Sequence, residues 1–124
     1  VTDPFHEIVL DLPAPPSVNK LRKIDWWQHK RAEKWKRAAD GHVLVAKVRS
    51  DSPIKLNRVP RFELRIILSE HHTKQDLDNS LKCLIDYLRH IELIADDAQR
   101  NMRKVSVEWG IAPEGCRVFV KPCT

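Results

Sequence analysis

Two acidic clusters bracket one stretch of the chain, KQDLDNSLKCLIDYLRHIELIADDAQ at residues 74–99, in a sequence that is otherwise rich in cations. Asp76 and Asp78 flank Leu77, which belongs to an apolar helical stripe, so both carboxylates turn away from the core towards one space at the helix start. Asp96 and Asp97 stand at the far end. Helix capping and the helix dipole favour a carboxylate at an N-terminus by roughly 0.5–2 kcal/mol, which accounts for one aspartate but not for two plus a second pair. Four aspartates without a thiol beside them make a hard-oxygen site suited to Mg²⁺ or Mn²⁺. Lys82, four residues beyond Asp78 on the same face, reads either as an ordinary exposed ion pair or as a cation that binds phosphate or relays a proton. A metal seated in carboxylates on a basic protein is equipped to cleave a polyanion. The basic surface holds the backbone, and the metal neutralises the scissile phosphate and activates a water. His71 and His72 precede the cluster and read first as an exposed loop pair or phosphate contact rather than as ligands.

The remaining composition agrees with an anionic partner. Twenty-two Lys and Arg against 17 Asp and Glu leave a formal charge of +5 over 124 residues, a length that suits one domain. No apolar run approaches the ~20 residues of a membrane span. VTDPFHEIVLDL lacks the basic segment and apolar core of a signal peptide, so a cytoplasmic location is expected. Cys83, Cys116 and Cys123 include no CxxC pair, which argues against a disulfide framework or a zinc site, and Cys83 reads as core.

The elements that must position these groups follow from periodicity. EIVLDLP places Ile8, Leu10 and Leu12 on one face of a strand that PAPP ends. Residues 25–48 predict a helix, with Asp25 as N-cap, Ala32, Trp35, Ala39, Val43 and Ala46 inward, and Lys30, Lys34 and Arg37 on another face. RFELRIIL alternates Phe62, Leu64, Ile66 and Leu68 inward with Arg61, Glu63 and Arg65 outward. Leu77, Leu81, Leu84, Ile85 and Leu88 form the stripe of the second helix. Val105, Val107 and Trp109, then Cys116, Val118 and Val120, mark two late strands separated by the turn APEG. The order is strand, helix, strand, helix, strand, strand. The simplest arrangement that buries every stripe is an α+β fold, a two-layer αβ sandwich with a mixed sheet and two main helices on one face.

Asp97 must return to the start of the second helix if all the carboxylates share one site within a chain. A helix over residues 78–89 spans about 17 Å, and residues 90–97 extend at most about 26 Å, so a site in cis needs a tight reversal and a partner subunit could equally supply one side.

Two motifs have other echoes. DLDNSL and ADDAQ mimic the acidic motifs of haloacid-dehalogenase-type phosphatases, and DxD occurs in glycosyltransferases, but a polar loop precedes the motif here and too little chain follows for those folds. LPAPPSVNK after the first strand, DLDNSLKCLIDYL opening the second helix and ADDAQ before a late strand, in this order and spacing, resemble the RusA family of Holliday junction resolvases. The resemblance runs from about Ile8 to the last strands and implies one RusA-like endodeoxyribonuclease domain over residues 1–124. It implies metal-binding carboxylates at Asp76, Asp78 and Asp97, a functional lysine at Lys82, and a neighbouring acidic position at Asp96. It further implies a homodimeric, Mg²⁺-dependent enzyme, bacterial or prophage-borne, that makes paired nicks in four-way DNA junctions in recombination and repair. A two-fold dimer matches a two-fold substrate. The loop SEHHTKQ departs from the family in being poor in arginine.

The expected function is therefore junction resolution, with Asp76, Asp78, Asp97 and Lys82 catalytic, Asp76, Asp78, Asp97 and Asp96 holding the metal, and Asn19, Lys20, Arg22, Lys23 and Lys74 as DNA contacts. The tryptophans Trp26 and Trp27 read as packing, at a dimer interface, rather than as a base-stacking platform. Two rivals stand beside this reading. One is a non-catalytic junction-binding module with the same fold, and the other a metal-dependent phosphohydrolase of small phosphates.

Overall fold

The computed structural model describes residues 7–16, 26–48, 58–72, 77 and 81–123. Alternation at a period of two produces the strands β1 (Ile8–Pro13), β2 (Phe62–Leu68), β3 (Met102–Trp109) and β4 (Gly115–Pro122). Spacings of three and four produce the helices α1 (Trp26–Val48) and α2 (Leu81–His90). The strands form one mixed sheet in the order β1-β4-β2-β3. β4 is antiparallel to both β1 and β2, whereas β2 and β3 are parallel. A parallel pair needs a crossover, and α2 is that crossover.

Register decides which face is buried. Leu10 and Ile66 both oppose Val118, Leu12 and Leu68 both oppose Cys116, and Leu64 opposes Val120, so the inward residues of three strands form one apolar sheet face. Trp35, Ala39 and Val43 of α1 and Cys83, Leu84, Ile85, Tyr87 and Leu88 of α2 close over that face in a single core. The other face is left to polar pairing. Arg117 donates to Asp11 at 2.7 Å across β4 and β1, and Arg65 donates to Glu108 at 2.6 Å while its guanidinium lies 5.2 Å from the centre of the Phe119 ring.

The two helices are tied to each other and to the sheet by polar contacts at the margin of the core. Trp35 Nε1 donates to the carbonyl of Pro13 at 2.8 Å, the Trp35 and Tyr87 rings meet edge to face at 5.0 Å, and the Tyr87 hydroxyl donates to Asp40 Oδ1 at 2.7 Å. β1, α1 and α2 are thereby fixed in a row.

α2 stops in a Schellman arrangement. Glu92 has a φ of 63°, its N–H donates to the carbonyl of Arg89, and the N–H of Leu93 donates to that of Leu88. The chain then runs beside the segment that leads into β2, with a parallel bridge between Val59 and Ile94. Gly115 has a φ of 118°, and a Cβ there would lie 2.7 Å from the backbone nitrogen of Ala14, so glycine is required where β4 meets the end of β1.

One strand departs from expectation. Val105 and Trp109 do lie on the core side of β3, but they are 41% and 39% exposed. β3 is an edge strand, of which Met102 and Val107, both partly buried, pack against the core. Asp25, the expected N-cap of α1, and residues 78–80, the expected start of α2, lie outside the described residues. Among the described residues no helix is long and apolar enough to cross a membrane.

Candidate functional site

The apolar stripe of α2 faces the core, so the remaining positions of that helix form a polar stripe. Lys82, Asp86 and Arg89 recur at spacings of four and three, which stacks them along this outer side. The Schellman turn and the Val59–Ile94 bridge then fix the loop after α2, bringing Asp96 and Asp97 beside Arg89.

The contacts are continuous. Lys82 Nζ lies 2.8 Å from Asp86 Oδ1, which also accepts from Arg89 Nη2 at 3.0 Å. Arg89 Nη1 lies 3.2 Å from Asp96 Oδ1 and 3.4 Å from Asp97 Oδ1. Asp96 Oδ1 further accepts the backbone N–H of Asp97 at 2.8 Å. That backbone bond, followed by the Arg89 guanidinium, holds the Asp96 carboxyl below its ordinary range, while its hydrogen bond to Asp96 raises Arg89 in turn. Two cations meet three carboxylates, so the array carries one net negative charge on a basic protein. The side chains are 31–44% exposed and can receive a ligand from solvent without opening the core.

Lys82 and Asp97 therefore share one side of α2 but do not touch. The seven residues from Lys82 to Arg89 rise by about 10 Å, with Asp86 and Arg89 filling the interval. Asp86 and Arg89 carry no motif of their own. Their signal in the sequence was the i, i+4, i+7 spacing from Lys82. Asp76 and Asp78, together with Asn19, Lys20, Arg22, Lys23 and Lys74, lie outside the described residues, as do the side chains of Trp26 and Trp27. Among the described residues, no group of three or more His, Cys, Asp or Glu side chains is placed to hold a metal ion.

Arg100, Arg103 and Lys104 follow Asp97 at the start of β3 and are exposed, as are Lys34 and Arg37 on α1. The histidines lie elsewhere, in the loop after β2. His72 Nδ1 is 2.9 Å from Ser69 Oγ, which also accepts the backbone N–H of His71 at 3.3 Å, so Ser69 fixes the course of this loop. The loop lines a cavity of about 460 Å³ together with Trp109 to Pro113.

No protein-family model matches the chain, and a comparison with curated proteins finds no match.

Proposed function

We propose that the protein is a Mg²⁺-dependent, structure-selective endodeoxyribonuclease of the RusA kind that acts as a homodimer on four-way DNA junctions. The observation that carries this reading is the ion-pair chain on α2, which aligns Lys82 with the Asp96–Asp97 pair on one solvent-facing side. Asp96 and Asp97 already direct oxygens at one cation, the Arg89 guanidinium, and a hard carboxylate set of this kind fits Mg²⁺. Asp97 and Asp96 then hold the metal together with Asp76 and Asp78, the latter pair supplied by the same chain or by the partner protomer, and Mn²⁺ is an acceptable substitute. Bound there, the metal supplies charge neutralisation at the scissile phosphate and a more acidic water.

The chain's own residues do the rest. Lys82 offers its ammonium to a phosphate oxygen or to the leaving group, and Asp86 fixes where that ammonium sits. Arg89 holds Asp96 and Asp97 in place until a metal competes for them. Arg100, Arg103 and Lys104, exposed cations that follow Asp97 in the chain, are candidates for phosphate contacts.

The test is cleavage of a labelled four-way junction beside a matched duplex, with and without Mg²⁺, by the parent, Asp97→Asn and Lys82→Met. Paired nicks confined to the junction, lost without metal and in both variants, are the expected result. A second reading has one observation in its favour, since the Arg89 guanidinium already contacts both Asp96 and Asp97. Tight, steeply salt-dependent junction binding with no nicking under any divalent metal would establish that reading, a non-catalytic binding module.

A further inference from the structure

The cavity behind β3 is not used by the acidic array. It lies where the parallel strands β2 and β3 end, bounded by Ser69 and His72 on one side and by Trp109 and Ile111 on the other. α2 crosses from the end of β2 back to the start of β3, so Lys82, at its first turn, lies towards the cavity end of the sheet, while Asp97 lies at the other. The sequence between His72 and Lys82 carries Asp76 and Asp78.

The lining is that of a small planar ligand. A volume of about 460 Å³ is within the usual range for one small molecule and too small for a helix or a strand pair. Trp109 is 39% exposed on this edge strand, so part of its indole is available for stacking. The polar end is organised as well. Ser69 is only 4% exposed, and its hydroxyl holds His72 through Nδ1, which leaves Nε2 without a hydrogen bond among the described residues. An aromatic wall with one oriented ring nitrogen suits a heteroaromatic ring with hydrogen-bonding edges.

We propose that the cavity takes one unstacked nucleobase from a DNA strand whose backbone passes the start of α2, with Trp109 stacking on the base and His72 meeting its edge. The proposal rests on the nuclease reading for the identity of the strand. A branch point supplies such a base at low cost, because bases beside it are already poorly stacked. The site would select the position of the nick relative to the branch by requiring a base to leave the stack.

The experiment uses the full chain with four-way junctions carrying a single abasic residue at each position flanking the nick. Binding and nicking are measured for the parent, Trp109→Ala and Trp109→Phe. Trp109→Ala should weaken junction binding roughly 10- to 100-fold, and Trp109→Phe should recover most of the loss. One abasic position should weaken the parent by a similar factor and erase the difference between the parent and Trp109→Ala. An equal loss from Trp109→Ala on intact and abasic junctions, or no loss at all, overturns the base site and leaves the nuclease reading untouched. Absence of nicking with the abasic dependence of binding retained would sink the nuclease reading while supporting the base site.

Discussion

Replacing Tyr87 by Phe tests how α2 is held against α1. The phenol is fully buried, and its hydroxyl donates to Asp40 Oδ1 at 2.7 Å, so the substitution deletes one hydrogen bond to a charged acceptor and little volume. Such bonds contribute about 1.5–3 kcal/mol. Asp40 is exposed and regains water when the hydroxyl leaves, which lowers the expected loss to about 1–2 kcal/mol. For a chain of this size that corresponds to a melting point lower by about 3–8 °C. The pH dependence provides an independent readout. Burial first, and then the bond to Asp40, push the Tyr87 hydroxyl above its ordinary value, so the unfolded chain ionises near pH 10 while the native one keeps its proton. Its contribution is therefore complete below that pH and is lost as pH rises further, and the Phe variant should show a shallower alkaline decline. Urea unfolding at neutral and alkaline pH, in a cycle with Asp40→Ala, measures both effects. A coupling below about 0.3 kcal/mol, or an unchanged alkaline limb, would refute the argument.

Three further outcomes are expected. Burial and the nearby Asp11 push the Cys116 thiol up to about 12 and burial raises Cys83, so at pH 8 a thiol reagent should label Cys123 promptly and the other two only on unfolding. Rapid labelling of all three in the native protein would contradict the packing. Glu92→Gly removes a side chain from a left-handed helix terminus at the cost of an exposed ion pair with Arg58, and should raise the melting temperature by a degree or more. Arg89→Gln leaves Asp86, Asp96 and Asp97 with Lys82 as their remaining cation, so it should melt below the parent without divalent ions and recover in millimolar Mg²⁺. Equal recovery in Na⁺ of matched ionic strength would count against metal binding at the Asp96–Asp97 pair.

The alternation in RFELRIIL and CRVFVKP was enough to place Phe62, Leu64, Ile66, Leu68, Cys116, Val118 and Val120 in the core. The same reasoning identified Trp35, Ala39 and Val43 on α1 and Leu84, Ile85 and Leu88 on α2. Periodicity reports which side of an element is apolar, but not which neighbour it meets. Val105 and Trp109 alternate as cleanly as the other strand residues, and only the pairing order reveals that β3 is at an edge. At the acidic array, Lys82, Asp96 and Asp97 were legible as residue types. Their linkage through Asp86 and Arg89 was not, because it depends on a loop whose course is set by a bridge to Val59, over thirty residues earlier. The cavity was hidden for a similar reason. Its walls, Ser69 to His72 and Trp109 to Pro113, are about forty residues apart and meet only because two parallel strands end together.

The strand order also governs the chain during synthesis. β4 lies between β1 and β2, so neither has its antiparallel neighbour until a strand more than forty residues beyond β2 has been made. A nascent chain emerging from the ribosome can form α1, α2 and the β2–α2–β3 crossover, but β1 then has no edge on which to dock. The apolar faces of Leu10, Leu12 and Leu64 must wait for Val118, Cys116 and Val120, and through that interval they are the surfaces most in need of a chaperone.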